Sequence, residues 1–387
     1  MSRPLDHLTV VSLEQAIAAP YCTRLLADQG ARVIKVERPD GGDFARAYDN
    51  RVRGLASHFV WTNRSKESLA VDLKDPGAVE VLRRIIGGAD VFVQNLAPGA
   101  VERLGLGPAA LRAANPRLVT CSISGYGAGG AAGRRKAYDL LIQAESGFLS
   151  VTGTREHMTK AGISIADISA GVTAYHSILA ALVHRDKIGR GDHIDVSMLE
   201  AMAEWMGFPM YFAFDGAPPP RRNGAGHATI YPYGPYETVD GIVFLGLQND
   251  REWILFAEAV LRHPDLAADP RFKGNAARAD HRELLEPILV GILSSLSTEE
   301  AIARLEHAGI ATAHVNDMAA LWSHPQLAAR DRWRQVGSPV GPLPALKPVT
   351  GDGWEPRLDP VPRLGEHTDA ILAEFGFAHV FEATKGT

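Results

Sequence analysis

Leu8-Thr-Val-Val-Ser-Leu13, the run from Ala19 to Asp28, and Ala31-Arg-Val-Ile-Lys-Val-Glu37 read as strand, helix and strand. Two short β-branched apolar runs flank a segment of helical period, with Pro20 in its first turn and Gly30 as its stop. That is a βαβ unit, and the alternation continues. A strand is predicted over 68–73, a helix over 78–86, a strand over 90–94, a short helical stretch ending at Ala114, and a strand over 117–124. Strands separated by helices imply a largely parallel sheet, hence an α/β fold of Rossmann-like type.

Downstream, Tyr138, Leu141, Ile142, Phe148 and Leu149 recur at helical spacing, as do Val172, Tyr175, Ile178, Leu179, Leu182 and Val183. Two packed helices are expected. Between them Lys160-Ala-Gly-Ile-Ser-Ile-Ala-Asp167-Ile-Ser-Ala-Gly171 carries a lone carboxylate to the mouth of the second helix. Asp167 there reads as an N-cap, because aspartate accepts backbone N–H bonds at helix starts and the dipole favours its charge. The same geometry would keep a carboxylate ionised in an apolar slot, which suits a nucleophile.

A strand over 193–198 and a helix over 199–212 follow. Asp215-Gly-Ala-Pro-Pro-Pro-Arg-Arg-Asn-Gly-Ala-Gly226 then has the proline and glycine content of a linker. Residues 236–247 form a hairpin about the turn Asp240-Gly241. Helices over 252–261, 278–296 and 298–307 and a strand over 311–316 complete a smaller α+β domain, closed by a second linker. The expected organisation is a large domain over 1–214, a linker over 215–226, a small domain over 227–337, a linker over 338–348, and a return to the large domain over 349–387.

The chain has 387 residues, 46% hydrophobic and 22% charged, with a formal net charge of −5. That balance offers no general attraction for nucleic acid or an anionic membrane. The N-terminal residues lack a signal-peptide core and no apolar run approaches the roughly 18 residues of a membrane span, so a cytoplasmic location is expected. Cys22 and Cys121 are two thiols in a long chain and read as buried fillers. The 14 histidines are scattered without metal-ligand spacing, and no metal is expected. Gly125-Tyr-Gly127-Ala-Gly-Gly130 matches the dinucleotide fingerprint in letters but opens no helix, and reads better as a mobile loop near the active site.

In open α/β sheets ligands gather beyond the carboxyl ends of strands. Those ends carry Arg38 and Lys74, with Arg103 and Lys136 following, four cations able to hold the phosphates of an anionic ligand.

The chain resembles the class III CoA-transferases over nearly its whole length. The resemblance rests on Leu25-Leu-Ala-Asp-Gln-Gly-Ala-Arg-Val-Ile-Lys-Val-Glu-Arg-Pro, Asn63-Arg-Ser-Lys, Val71-Asp-Leu-Lys74, Asn95-Leu-Ala-Pro-Gly and Lys136-Ala-Tyr-Asp139. It continues through Ile165-Ala-Asp167-Ile-Ser-Ala-Gly171, Gly189-Arg-Gly-Asp-His-Ile-Asp-Val-Ser-Met198 and Pro362-Arg-Leu-Gly365-Glu-His-Thr-Asp. It implies that Asp167 attacks an acyl-CoA thioester and that Asp139 orients nearby groups or the incoming acid. Ile17, Arg38, Val71, Leu73, Lys74, Asn95, Leu96, Arg103, Lys136 and Tyr138 would line the CoA site. It further implies a discontinuous large domain and an interlocked homodimer, with coenzyme A bound as substrate and no permanent cofactor. His227 is a candidate contact for a substrate carboxylate, and Arg134 and Arg135 for the second carboxylate of a dicarboxylic acid.

Two departures bear on the substrate. Formyl-CoA transferase has a glutamine where this chain has Ile17, and a four-glycine run that is missing here. The stretch 222–236 resembles members acting on C4 and C5 dicarboxylates, which points to succinyl-CoA as donor and itaconate or a similar acid as acceptor. Within the superfamily the alternative is an α-methylacyl-CoA racemase, which needs a proton-transfer histidine before Asp139. This chain has Tyr138 there, and an unshifted phenol, with a pKa of about 10, is a poor base at neutral pH. A CoA-binding protein without turnover is the remaining alternative.

Overall fold

The computed structural model describes residues 2–377, so Met1 and residues 378–387 of the expected C-terminal return lie outside the described residues. The chain divides into two compact units. Among the described residues, one comprises 2–146, 161–207 and 330–377, and the other 147–160 and 208–329. The second unit thus takes 147–160, which the sequence reading left in the large domain, and it ends eight residues before the expected 337.

The first unit opens with β1 (Thr9–Leu13), α1 (Ala18–Asp28), β2 (Arg32–Glu37), α2 (Ser57–Asn63), β3 (Lys66–Ala70) and α3 (Pro76–Gly87). Then come β4 (Val91–Gln94), α4 (Ala100–Arg103), α5 (Pro108–Ala114), β5 (Val119–Ser124) and α6 (Asp139–Glu145). After α7 (Phe148–Val151), which belongs to the second unit, the chain returns with α8 (Ile165–Ile188), β6 (His193–Ser197) and α9 (Met198–Trp205). The sheet order is β3-β2-β1-β4-β5-β6, with every neighbouring pair parallel. That is the doubly wound dinucleotide-fold order, with its switch point between β1 and β4. A parallel sheet covered on both faces needs strands apolar on both sides. Val10, Val11, Val33, Ile34, Val91, Phe92, Val93 and Val119 supply this and are buried. The C-terminal segment covers the edge strand. His367 Nδ1 accepts from Ser68 N and Thr368 Oγ1 from Ala70 N, so the free edge of β3 is spent within the chain.

Several boundaries differ from the sequence reading. The first predicted helix of the pair is two, α6 and α7, because Gly147 takes φ 79°. The 199–212 helix breaks at Met206 into α9 and a helix over Gly207–Phe212. Most consequential is α8, which starts at Ile165 and runs 24 residues, about 36 Å. By length and composition it is apolar enough to cross a membrane, contrary to the expectation that no such run exists. It is instead the core helix of this unit, packed against α1, α6, α9, β5 and β6. Gly171 lets α8 approach α1 closely, since a Cβ there would stand 2.7 Å from the Ala18 carbonyl oxygen.

The second unit holds an antiparallel sheet of β7 (Tyr233–Glu237), β8 (Ile242–Gly246) and β9 (Ala311–His314) around the Asp240-Gly241 turn. Helices over Arg282–Leu293 and Thr298–His307 cover a core containing Trp253, Phe256, Phe272, Leu285, Leu289 and Leu305.

Candidate active site

Helix α8 precedes a strand parallel to the rest, so it must run back across the sheet. Its last turn, through Arg185, pairs with Asp90 at the amino edge, 3.0 Å apart. Its first turn therefore lies at the carboxyl edge, and Asp167 with it.

Asp167 is not the N-cap. Ser164 holds that position without a side-chain cap, and Asp167 is the third residue of the helix. The cap comes from elsewhere: Asp139 Oδ1 accepts from Ala166 N at 2.8 Å and from Asp167 N at 3.3 Å. Asp139 Oδ2 accepts from Gln143 Nε2 at 2.6 Å, and Gln143 Oε1 accepts from Ala161 N at 2.9 Å. The helix-start donors that would have held the Asp167 carboxylate are thus occupied by another carboxylate. Among the described residues none donates a hydrogen bond to the Asp167 side chain. Burial, and then the Asp139 charge, push Asp167 up to about 7. The expectation of a carboxylate kept fully ionised by the helix start is corrected accordingly, because the dipole term is outweighed by desolvation and a like charge.

Tyr138, immediately before Asp139, is exposed. Tyr48, which sequence reading did not single out, lies within electrostatic reach of both Asp167 and Tyr138; burial first, then the charges around it, raise its phenol.

At the switch point Asn95 spends both polar atoms on one backbone unit. Its Oδ1 accepts from Gln15 N and its Nδ2 donates to Gln15 O, each 2.8 Å. Asp43 Oδ1 accepts from Ala16 N at 2.9 Å, and Ala16 sits at φ 63°. These bonds fix Ile17, itself buried, at the start of α1. Beneath them lies a charge cluster without solvent access. Lys35 Nζ meets Asp43 at 2.6 Å and Glu14 at 3.3 Å, and Lys66 Nζ meets Glu14 at 2.6 Å. Burial pulls Lys66 down to about 8, while the two lysines hold Glu14 below the usual carboxylate range against the opposing effect of its burial.

Val71, Leu73 and Leu96 belong to or pack on the apolar core at this edge. Arg38, Lys74, Arg103 and Lys136 are exposed and follow the carboxyl ends of β2, β3, β4 and β5. Lys74, Arg103 and Lys136 form no ion pair among the described residues; Arg38 donates to Gly42 O and stacks on Phe44. Gly125 brings Lys136 and Tyr138 to the end of β5, for a Cβ there would stand 2.1 Å from that of Ala137.

The loop expected to be mobile is fastened. Ala128 N donates to Asp195 Oδ2 at 2.7 Å, Gly127 N to Ser124 Oγ, and Arg135 pairs with Glu145 at 2.7 Å while stacking on Tyr126. Arg135 is therefore engaged, and Arg134 remains exposed. His227 lies in the second unit. Its Nδ1 accepts from Thr229 N and Ile230 N, and its ring stacks on Tyr233. That fixes the neutral tautomer with the proton on Nε2. Among the described residues no group of three or more His, Cys, Asp or Glu side chains is arranged to hold a metal.

The first unit thus sets a carboxylate poised near 7 and four exposed cations at the carboxyl edge of one doubly wound sheet. The sequence profile of CoA-transferase family III matches residues 5–368. The chain belongs to this family. It is similar to the succinate–glutarate CoA-transferase of Agrobacterium fabrum, at 32% identity over 96% of this chain and 95% of that one. The succinyl-CoA:mesaconate CoA-transferase of Haloarcula hispanica is 34% identical over 96% of each. The crystal structure of a CaiB/BaiF family protein from Brucella suis matches with a TM-score of 0.86 at 32% identity, covering 97% of this chain and all of the other. This class III CoA-transferase therefore acts on CoA thioesters.

Proposed function

We propose that the enzyme moves CoA from a succinyl-CoA-like donor to a free C4 or C5 dicarboxylate, itaconate among the acceptors, with Asp167 as nucleophile. The observation that carries this reading is the Asp167 carboxylate itself: half-buried, without a hydrogen-bond donor among the described residues, and poised near 7 by burial and Asp139. A carboxylate shielded from donors keeps its lone pairs for attack, and near neutrality a large fraction is ionised.

Asp167 attacks the thioester carbonyl, the C–S bond breaks, and a mixed anhydride and CoA thiolate form. The thiolate then attacks the aspartyl carbonyl, releasing the donor acid and leaving an aspartyl-CoA thioester. The acceptor carboxylate attacks that thioester, and the returning thiolate attacks the acceptor's carbonyl, which restores Asp167. Backbone N–H groups of the 125–130 loop other than those of Gly127 and Ala128, which donate to Ser124 and Asp195, stabilise the tetrahedral oxyanions. Arg38, Lys74, Arg103 and Lys136 take the CoA phosphates, while Ile17, Val71, Leu73, Leu96 and Tyr138 line its path. Asn95 shapes that wall through Gln15 instead of reaching outward.

Relatives named for succinate, glutarate and mesaconate support a dicarboxylic acceptor. Arg134, exposed and without an ion pair among the described residues, is the cation for its second carboxylate. The enzyme works as a homodimer in the cytoplasm. The test is incubation with a panel of acyl-CoA esters and free acids followed by mass spectrometry, with hydroxylamine trapping of the acyl-enzyme. CoA exchange between dicarboxylates with the trap on Asp167 is expected. Thioester hydrolysis alone, or α-deuterium exchange without transfer, would overturn the reading.

A further inference from the structure

The polar groups behind the nucleophile form a chain that ends on a side chain with no assigned role. Gln143 is fully buried. It stands four residues after Asp139, so both project from one face of α6. Its carboxamide nitrogen donates to Asp139 Oδ2 at 2.6 Å, and its carbonyl oxygen accepts from Ala161 N at 2.9 Å. Asp139 Oδ1 in turn holds Ala166 N and Asp167 N. One carboxamide and one carboxylate therefore clamp the turn 161–166 at both ends, and Asp167 follows directly on that turn.

We infer that Gln143 is a positioning residue for CoA transfer: its carboxamide holds Asp139 in the orientation that fixes the first turn of α8 and so aims Asp167. The inference rests on the reading of Asp167 as nucleophile. The physical case is one of orientation. A carboxylate can swing about its Cβ–Cγ bond, and with Oδ2 unheld only the two bonds from Ala166 N and Asp167 N keep Asp139 Oδ1 on the helix start, one of them long at 3.3 Å. Glutamine is the side chain that donates to a carboxylate and accepts from a backbone N–H at the same time. Few charges besides Asp139 bear on Asp167. The phenol of Tyr48, just after residues 44–47, lies within electrostatic reach of it, and Glu200 and Glu204 of α9 are not among the charges acting on it.

Two substitutions separate orientation from mere packing. Gln143→Leu keeps the volume and removes both bonds. Gln143→Glu keeps the shape and the bond from Ala161, and can donate to Asp139 only while it carries a proton. Two carboxyl groups at that distance share one proton at low pH and lose it as pH rises.

The experiment is steady-state transfer by the full-length enzyme from pH 5.5 to 9, with thermal melts and hydroxylamine trapping. For Gln143→Leu we expect kcat to fall about 10- to 100-fold, the cost of a misplacement of about 1 Å, with KM for acyl-CoA within about 3-fold. Gln143→Glu should recover kcat toward wild type at pH 5.5 and acquire a falling limb at higher pH that wild type lacks. A merely structural glutamine would lower Tm and leave the shape of the profile unchanged. If Gln143→Leu keeps wild-type kcat and profile, the inference is overturned; if that variant does not fold, an unaltered profile in Gln143→Glu overturns it. A trap on a residue other than Asp167 sinks the nucleophile reading, whereas a trap on Asp167 at the wild-type rate in both variants sinks this inference alone.

Discussion

Replacing Asp167 by asparagine should stabilise the free enzyme, and by an amount that depends on pH. The carboxyl group titrates near 3.8 in the unfolded chain and at about 7 in the fold, raised first by burial and then by Asp139. Between those values the native state binds more protons than the unfolded state, so wild-type stability falls as pH rises. The stabilising contribution of the protonated form is complete below pH 4 and gone once pH passes 7. Asparagine is neutral throughout and escapes the loss. A shift of about three pH units at about 1.4 kcal/mol each sets a ceiling of about 4 kcal/mol, and solvent reaching a half-buried group reduces this to about 2 kcal/mol. For a unit of about 250 residues, with an unfolding entropy of about 2.1 cal/mol/K per residue, that is a rise in Tm of about 4 °C and at most about 8 °C.

The assay is thermal unfolding of both proteins at pH 4.5, 6, 7 and 8 at constant ionic strength. The Tm difference should grow from about a quarter of its full value at pH 4.5, flatten above pH 7, and favour asparagine. Asp139→Ala bears on the same turn from the other side, since it removes the cap on α8 and should cost about 1 kcal/mol, less whatever is regained at pH 8 by losing the charge beside Asp167. A difference that stays flat with pH, or an Asp167→Asn enzyme that melts below wild type at pH 8, would show that the carboxylate is held by donors in the fold, and the account of its poise would be wrong.

Three further outcomes follow from the packing and charge around the site. Glu14→Gln leaves Lys66 and Lys35 sharing too little negative charge in a region without solvent, and chemical denaturation should show a loss of about 3 to 5 kcal/mol. Gly171→Ala drives a methyl against the Ala18 carbonyl, so α1 and α8 must part; melts should register about 1 to 3 kcal/mol of overpacking, and kcat should drop with it. Arg103→Ala and Lys136→Ala should each raise KM for acyl-CoA several-fold with kcat unchanged, and wild-type KM should climb with added salt, because an exposed cation acts through a field that ions screen.

The parallel sheet was legible because its rule is local: β1, β2 and β4 are short runs rich in apolar β-branched residues, and helices separate successive strands. The strand order was not, since nothing in the residues of β4 states that it pairs with β1 and not with β3. Charged residues mislead in the same way. Lys35 and Lys66 have the composition of surface residues, and only the fold brings Glu14 and Asp43 to them.

Asp167 shows where local reading fails. Its neighbourhood carries every sign of an N-cap, and the inference that it caps and stays charged is correct for most such aspartates. The start of α8 is instead capped by Asp139, 27 residues before Ala166, so the capping signal and the capped helix lie on different elements. The two carboxylates have exchanged roles: the one that looks like a cap is free for chemistry, and the one buried in a helical repeat does the capping. Gln143 is hidden more completely, because a glutamine in an amphipathic helix reads as solvent-facing and its burial is justified only by Asp139 and Ala161. A carboxylate proposed as nucleophile must be denied hydrogen bonds that its surroundings would otherwise supply, and around Asp167 the helix-start donors are taken by Asp139, a partner placed by the tertiary fold.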